Sequence, residues 1–157
     1  MSLTAERARE LLDYNPSTGA LTWRVRRGGN ATVGSQAGNL RRGYRRVKID
    51  GKKYTASRLI FLIVKGRWPK RMVDHKDTDQ SNDRWDNLRE ATRRQNNANA
   101  SLRKDNTSGL KGVSAVGARW QAQASGKYLG TFDTKEEAHA AYVARTKEIH
   151  GRFARVS

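Results

Sequence analysis

The apolar residues of this chain come in short runs, and the longest, LIFLIV, spans only residues 59–64. Only 36% of the 157 residues are hydrophobic. This composition disfavours one large core, so we expect two or three small ones in one or two small domains. No run approaches the roughly 20 residues that cross a bilayer, and the start of the chain, MSLTAERARELL, lacks the apolar stretch of a secretion signal. We therefore expect no membrane association.

Charge gives the second constraint, because 32 lysines and arginines stand against 15 acidic residues, for a formal charge of +17. Such a charge opposes compaction and favours polyanionic partners, of which nucleic acid is the obvious one. On charge alone, a ribosomal or general nucleic-acid-binding protein is as good an interpretation as any more specific function. The absence of cysteine excludes disulfides and cysteine-ligated zinc, and it is compatible with a reducing cytoplasm.

The charge is unevenly distributed along the chain. Residues 1–70 hold 16 basic and 4 acidic groups, residues 71–102 hold 6 of each, and residues 103–157 hold 10 and 5. Within the neutral segment, VDHKDTD at 73–79 places three aspartates around one of only three histidines. Because acidic groups repel phosphate, a segment of this kind suits nucleic acid only where positive charge intervenes, and a divalent metal ion would supply it.

The pattern of residues 1–70 predicts a short helix, then strands, then a buried helix. GYRRVKIDGKKYT predicts a hairpin that turns at Asp50-Gly51. SRLIFLIVKG predicts a buried helix that ends at Gly66. Apolar residues at near-helical spacing predict a short helix at the start of the chain, and apolar residues that alternate after the NPSTG turn predict a strand. The helical positions are Leu3, Ala8, Leu11 and Leu12, and the alternating positions are Leu21, Trp23 and Val25.

Between these elements lies RRGGNATVGSQAGNLRRGYRR, a stretch rich in glycine and arginine. Two interpretations are equally open: a loop that becomes ordered on binding phosphates, or a solvated surface loop. If the protein binds nucleic acid, this basic region should contact phosphates, and affinity should then fall steeply with salt. The candidate DNA-binding residues here are Arg41, Arg42, Arg45 and Arg46.

The central segment, MVDHKDTDQSNDRWDNLREATRRQNNANA at 72–100, predicts the order strand, loop, strand, helix. Thr92 is the predicted N-cap of that helix.

Phosphodiester hydrolysis needs an activated water and neutralisation of charge on the leaving oxygen. Histidine can accept the proton of a water near neutral pH, and carboxylate or amide oxygens suit Mg²⁺, which takes only one or two protein ligands. Because adjacent strand residues point to opposite sides, Asp74 can face a metal while His75 faces the scissile phosphate. By spacing alone, however, an Asp-His pair in a loop is more often a pair of solvent-exposed side chains without a catalytic role.

The order of polar residues resembles the ββα-metal motif of HNH endonucleases, in the branch found among phage and intron-encoded homing enzymes. The matching positions are Asp74-His75, Asn87-Leu88 and Gln95-Asn96. The resemblance implies that His75 is the general base and that Asp74 and Asn96 are metal ligands. It also implies that Asn87 ties the loop together by hydrogen bonds and keeps His75 oriented.

Asn96 stands where many members of the wider superfamily have histidine. An amide oxygen favours Mg²⁺, with Mn²⁺ as a substitute, whereas histidine would also suit zinc or nickel. The other aspartates of the segment have no assigned catalytic role and are interpreted as turn formers and solvated charges. They are Asp77, Asp79, Asp83 and Asp86.

Residues 106–151 predict three strands and one helix. The strands are GVSAV, ARWQAQA and KYLGTF, and the helix is capped by Thr134 with Glu137 and runs to about His150, before Gly151. Its predicted packing face is Ala138, Ala141, Tyr142 and Ile149. His139 and His150 on this helix are interpreted as structural or exposed.

The segment resembles the AP2 DNA-binding domain, in KGVSAVGARWQAQA and in YLGTFDTKEEAHAAYVARTKEIHG. The resemblance implies that the sheet, not the helix, enters the DNA groove. Ser114 and Ser125 stand where arginine is usual in plant members, which affects affinity and base preference. An ordinary exposed polar face explains the pattern equally well. The candidate DNA-binding residues are Ser114, Arg119, Gln121, Gln123, Ser125 and Tyr128.

Together these features predict an α+β chain of three regions. They are a basic helix and β-hairpin region at 1–70, an HNH ββα-metal nuclease motif at 71–104, and an AP2-like sheet plus helix at 105–157. The expected function is metal-dependent, Mg²⁺-supported hydrolysis of a phosphodiester in double-stranded DNA, as a nick, by a monomer or dimer in the cytoplasm of a bacterial, phage-infected cell. The alternatives are a non-cleaving AP2-type transcriptional regulator and a ribosomal-type RNA-binding protein.

Overall fold

The computed structural model describes residues 3–156, and this part of the chain forms four helices and four small antiparallel sheets. Residues 1, 2 and 157 lie outside it, including the first two of the MSLTAERARELL stretch. The fold divides into two compact units, one ending at Ala91 and the other beginning at Thr92. This division falls inside the region 71–104 for which one motif was predicted. No helix among residues 3–156 is both long and apolar enough to cross a membrane.

The first unit contains two helices and three antiparallel sheets. The sheets pair β1 with β2, β3 with β4 and β5, and β6 with β7. A short 3₁₀ turn at Trp85–Asn87 precedes β7. The elements are α1 (Ala5–Leu11), β1 (Leu12–Tyr14), β2 (Leu21–Trp23), β3 (Asn39–Arg41), β4 (Tyr44–Ile49), β5 (Lys52–Thr55), α2 (Ala56–Lys65), β6 (Met72–His75) and β7 (Leu88–Ala91).

Helix α1 ends sooner than its apolar spacing predicted. Leu12 adopts an extended backbone (φ −129°, ψ 141°) and pairs with Trp23 across β1 and β2. The expectation that Leu12 is helical is therefore wrong, although its side chain is buried. The predicted strand also ends sooner, at Trp23, and Val25 is exposed.

The core of the first unit forms between the β4–β5 hairpin and α2. The hairpin turns at Asp50 and Gly51, which both have positive φ (48° and 80°), as a type I′ turn requires. The predicted hairpin is thus confirmed. Alternating Val47 and Ile49 are buried in the same cluster as the apolar face of α2. The predicted stop of α2 is also confirmed, since Gly66 caps it in the left-handed conformation (φ 69°).

The second unit contains a three-stranded antiparallel sheet in the order β8-β9-β10 and two helices. A separate, smaller apolar cluster joins Val113 and Ala122 of the sheet to Ala138 of the last helix. The two clusters agree with the small cores expected from composition. The elements are α3 (Arg93–Asn99), β8 (Val113–Val116), β9 (Arg119–Ala124), β10 (Lys127–Phe132) and α4 (Lys135–His150).

Helix α4 begins at the predicted capping box, in which Thr134 Oγ1 accepts from the backbone N–H of Glu137 at 3.2 Å. One residue of its predicted packing face is wrong, because Ile149 is 42% exposed. The buried positions are Ala138 and Tyr142, as predicted, together with Thr146 and His150. Steps of four residues rotate the buried stripe by about 40° each around the helix, so its last member is His150 rather than its neighbour.

Candidate active site

The candidate site begins at the end of β6, where Asp74 and His75 are both only 4% exposed. Asp74 lies opposite Arg89 in the β6–β7 pair, and His75 lies opposite Leu88. Arg89 Nε donates to Asp74 Oδ2 at 2.8 Å, within a pair whose side chains are 10% and 5% exposed. A buried carboxylate needs such a partner, because taking a charge out of water is costly. The strand pairing therefore supplies Asp74 with its counter-charge.

His75 is held by a residue that had no predicted catalytic role. Its Nε2 lies 3.0 Å from Asp83 Oδ1, and Asp83 is itself only 4% exposed. The ring of Tyr44 lies on another side of the imidazole, with centroids 6.3 Å apart and planes tilted by 57°. The interpretation of Asp83 as a solvated turn former is therefore wrong. No periodic pattern marked it, since the contact depends on how the loop between β6 and β7 closes.

The loop itself is cross-tied by Asn87. Its Oδ1 accepts from the backbone N–H of Asp77 at 3.1 Å, and its Nδ2 donates to Asp77 Oδ1 at 2.9 Å and to Asn82 O at 2.8 Å. Burial acts to raise the pKa of Asp77, but the hydrogen bonds from Asn82 and Asn87 outweigh it and leave that pKa below its ordinary value. These contacts hold the loop closed over the end of β6. A part for Asn87 in catalysis stays a prediction.

The remaining two aspartates behave as the sequence predicted. Asp79 Oδ1 accepts from both the backbone N–H and the hydroxyl of Ser81, at 2.9 and 2.7 Å, and so forms a local turn. The side chain of Asp86 is 71% exposed and lies 3.3 Å from Arg84 Nη2. Asp77 and Asp79 thus shape the loop, and Asp86 is solvated.

The hairpin β1–β2 braces this loop from outside. Tyr14 Oη donates to the backbone oxygen of Asp83 at 2.8 Å, and the N–H of Trp85 donates to Pro16 O at 3.2 Å. Gly19 packs so closely that a Cβ there would lie 2.7 Å from backbone atoms of Asp83 and Arg84. Burial, with the nearby charge of Asp83, raises the pKa of Tyr14, which keeps its hydroxyl a donor. The predicted role of this region was DNA contact alone, and its support of the loop was not predicted, because these contacts join residues far apart in sequence.

The predicted arginines lie on a second hairpin, β3–β4, called here the basic hairpin (residues 39–49). Arg41, Arg42 and Arg46 are exposed, and Arg45 is half-buried and donates to Gly38 O at 3.1 Å. In residues 3–156, none of the four forms an ion pair.

The tip of the basic hairpin lies against the loop between β6 and β7 (residues 76–87). A Cβ on Gly43 would meet the side chain of Gln80 at 2.7 Å, and Tyr44 faces His75. The structure therefore brings the arginine-rich strands beside the histidine that the sequence selected.

Asn96 lies on α3, in the second unit. Its neighbour Gln95 completes a capping box: Gln95 Oε1 accepts from the N–H of Thr92 at 2.9 Å, and Thr92 Oγ1 accepts from the N–H of Gln95 at 3.2 Å. The predicted N-cap is thus confirmed, and Asn96 itself is half-buried in the helix. Gln95 of the motif has a structural task, because it fixes where the helix begins.

The donor set of the predicted metal ligands is one carboxylate and one amide oxygen. Hard oxygen donors in such small number fit Mg²⁺, whose remaining positions are filled by water and phosphate. Among the described residues, no group of three or more His, Cys, Asp or Glu side chains could hold a metal ion. Asp74 lies in the first unit and Asn96 in the second, and the oxygen donor of each, taken by itself, is of a type that suits this cation.

The predicted DNA-binding residues of the second unit lie mainly on one face of its sheet. Gln121 Nε2 donates to Ser114 Oγ at 2.9 Å, and Gln123 pairs with Tyr128 across β9 and β10. The intervening side chains of β9, at 122 and 124, are buried, so the glutamines lie on the face away from α4. Arg119 Nε, at the start of β9, lies 2.8 Å from Asp133 Oδ1.

Ser125 differs from the other predicted contacts, because its hydroxyl lies 2.7 Å from His150 Nε2 on α4. It occupies the β9–β10 turn with a positive φ of 52°. Burial, together with the charges of Arg94 and Lys111, lowers the pKa of His150. The structural interpretation of His150 therefore applies, and Ser125 is held toward the helix rather than grouped with the glutamines.

Comparison with known proteins agrees with this geometry. A model of the HNH endonuclease family matches residues 54–98, a range that holds Asp74, His75, Asn87 and Asn96. Protein 3.8 of Escherichia phage T7 is 36% identical over 94 residues, covering 53% of this chain and 73% of that protein. No solved structure matches the chain. The chain belongs to the same family as phage T7 protein 3.8 and carries an HNH endonuclease domain at residues 54–98.

Proposed function

We propose that the protein is a metal-dependent endonuclease that nicks double-stranded DNA. The observation that carries this proposal is the buried end of β6 within the HNH domain. There Asp74 and His75 stand side by side, one paired with Arg89 and the other with Asp83. Burying polar side chains costs free energy even when each has a partner, and paired buried groups of this kind cluster at functional sites.

In this mechanism His75 takes the proton of the attacking water as general base. Asn87 holds the loop closed and so keeps the surroundings of His75 fixed. Asp74 and Asn96 would hold Mg²⁺, or Mn²⁺ in its place, which when bound neutralises charge on the leaving 3′ oxygen. The products would be 5′-phosphate and 3′-hydroxyl ends. One such site in one chain makes a single-strand cut the elementary event, and a double-strand cut would need two chains or two successive nicks.

The basic hairpin is proposed to hold the DNA backbone beside His75. Its exposed arginines form no ion pairs in the described part of the chain, so their charge is available to phosphates. Its tip packs against Gln80 of the β6–β7 loop at Gly43 and against His75 through Tyr44. Arginine offers several donors in a planar arrangement that matches phosphate oxygens. The arginines are Arg41, Arg42, Arg45 and Arg46.

The sheet of the second unit is proposed to act as an AP2-like DNA-binding surface. Its order of three strands followed by one helix, and the packing of α4 on one face only, support this proposal. Glutamine amides can hydrogen-bond base edges in the major groove, and hydroxyl groups can bond phosphates or bases. The proposed contacts on the sheet are Ser114, Arg119, Gln121, Gln123 and Tyr128, with Ser125 in the adjoining turn.

A plasmid-nicking assay tests the endonuclease. Supercoiled plasmid with inserts of phage genomic DNA is incubated with Mg²⁺ or with EDTA and with the parent protein, His75→Ala or Asp86→Ala. The last variant is the control, because Asp86 belongs to the same loop but its side chain is exposed. We expect Mg²⁺-dependent conversion to open circle by the parent and the control, and none by His75→Ala.

Two outcomes would contradict the proposal. Cleavage that persists in His75→Ala would leave an endonuclease but remove His75 as its base. Salt-sensitive DNA binding by the parent with no cleavage of any insert would instead favour a non-cleaving DNA-binding regulator.

A further inference from the structure

The contact between His75 and Asp83 is closer and more enclosed than a surface ion pair. Nε2 and Oδ1 are 3.0 Å apart, and each side chain is 4% exposed. An ionised carboxylate can only accept hydrogen bonds, whereas an imidazole nitrogen can donate or accept. Nε2 must therefore carry the hydrogen in this contact, and in the neutral ring the lone pair then belongs to Nδ1.

We propose that Asp83 is a positioning residue of the nuclease, which fixes the orientation and the tautomer of His75 so that Nδ1 takes the proton of the attacking water. This inference rests on the proposed role of His75 as general base. A carboxylate that binds the far nitrogen of a catalytic imidazole holds its ring and tautomer, and also stabilises the positive charge that the ring gains with the proton. Asp83 itself remains a carboxylate throughout the step.

The way Asp83 is held supports a positioning role. Its carbonyl accepts from Tyr14 Oη at 2.8 Å, and Gly19 lies against its backbone. On its other side, the carbonyl of Asn82 accepts from Asn87 Nδ2 at 2.8 Å. The peptide units around Asp83 are thus fixed from two directions, by residues far from it in sequence. Support of this kind from neighbouring residues is what a precisely oriented side chain requires.

The competing explanation is that Asp83 merely satisfies a buried histidine. Asp83→Asn separates the two explanations, because asparagine has nearly the same shape but can donate through Nδ2 as well as accept through Oδ1. The packing is then kept, while the constraint on the tautomer is lost. Asp86→Asn is the matched control, since it makes the same change at an exposed position of the same loop.

Two readouts test the proposal. Nicking kinetics should show kcat reduced by roughly 100-fold or more in Asp83→Asn with little change in KM, and no change in the control. Long-range ¹H–¹⁵N NMR of the imidazoles, at a pH where His75 is neutral, should show the Nε2–H tautomer in the parent and a mixture in Asp83→Asn. A purely structural role would lower the melting temperature without this separation of kcat from KM.

The proposal is overturned if the parent shows the Nδ1–H tautomer at His75, or if Asp83→Asn keeps the kcat of the parent. The tautomer of the parent can be measured even if Asp83→Asn does not fold. Failure of the endonuclease proposal is distinguishable, because a parent without nicking activity would still reveal by NMR whether Asp83 fixes the ring.

Discussion

Replacing Arg89 by methionine should show how far Asp74 depends on its partner across the β6–β7 pair. The two groups are 2.8 Å apart in side chains that are 10% and 5% exposed, so the change leaves a carboxylate inside the fold without its cation. Methionine keeps much of the apolar volume of the arginine stem, and the loss of charge therefore dominates. Breaking a buried pair on one side costs about 3–5 kcal/mol. For a unit of this size, roughly 3 kcal/mol lowers the melting temperature by about 12–24 °C.

The assay is urea and thermal unfolding, followed by circular dichroism, of the parent, Arg89→Met, Asp74→Asn and the double variant. The double variant should be more stable than Arg89→Met, because a neutral amide needs no cation. The coupling energy of this cycle should reach about 2 kcal/mol. Arg84→Met is the control, since its partner Asp86 is 71% exposed, and an exposed pair contributes no more than about 1 kcal/mol. A loss below about 1 kcal/mol in Arg89→Met would refute the reasoning.

The same variants report on the proposed cation without any measurement of activity. If Asp74 is a ligand of Mg²⁺, the ion should replace part of the charge lost with Arg89. Mg²⁺ should then raise the melting temperature of Arg89→Met more than that of the parent, by linkage between binding and folding. It should have no such effect on the double variant. An equal effect on all of the proteins would argue against Asp74 as a ligand.

Three further outcomes are expected. Hydrogen bonds from Arg67 lower the pKa of Glu90 to about 2 from the ordinary 4.5. The stability that the ionised Glu90 contributes is therefore complete above pH 4.5 and is lost as the pH falls towards 2. In urea titrations, the free energy of unfolding should fall more over this pH range for the parent than for Glu90→Gln. Gly112→Ala should lower the free energy of unfolding by about 2 kcal/mol or more, because its Cβ would lie 2.0 Å from the ring of Tyr142 at a φ of +75°. Gly109 has a similar φ but no atom near its Cβ position, so Gly109→Ala should lower the free energy of unfolding by less in the same assay. Arg42→Ser should reduce the slope of log affinity against log salt by about one, measured by fluorescence anisotropy on duplex DNA.

The parts of the fold that could be predicted from the sequence are those whose cause is local. The Asp50-Gly51 turn, the Gly66 stop and the cap formed by Thr92 with Gln95 each depend on residues within a few positions of one another. Their backbone conformations and hydrogen bonds are therefore determined by a short stretch of sequence. Leu12 shows the limit of this reasoning, because its spacing suits a helix while its pairing with a later strand makes it extended.

The supports of the candidate site could not be predicted, because they join distant residues. Tyr14 reaches a carbonyl 69 positions later, and Arg89 meets Asp74 only through the register of β6 and β7. Asp83 looks like its neighbours Asp79 and Asp86 in the sequence, and only the closed loop separates the buried residue from the turn former and the solvated one. The motif indicates the candidate reactive groups, whereas their partners depend on contacts that form only in the folded chain.

The contacts between the β1–β2 hairpin and Asp83 limit which segment of the chain can be transferred to another protein. A fragment cut to residues 54–98 would carry every residue by which the HNH domain is recognised. It would lack Tyr14, Pro16 and Gly19, and with them the brace on the loop that bears Asp83. Grafting the motif onto another scaffold would therefore transfer the motif residues without the hairpin contacts that hold their loop. A recombination that exchanges the HNH domain between proteins should exchange the β1–β2 hairpin with it.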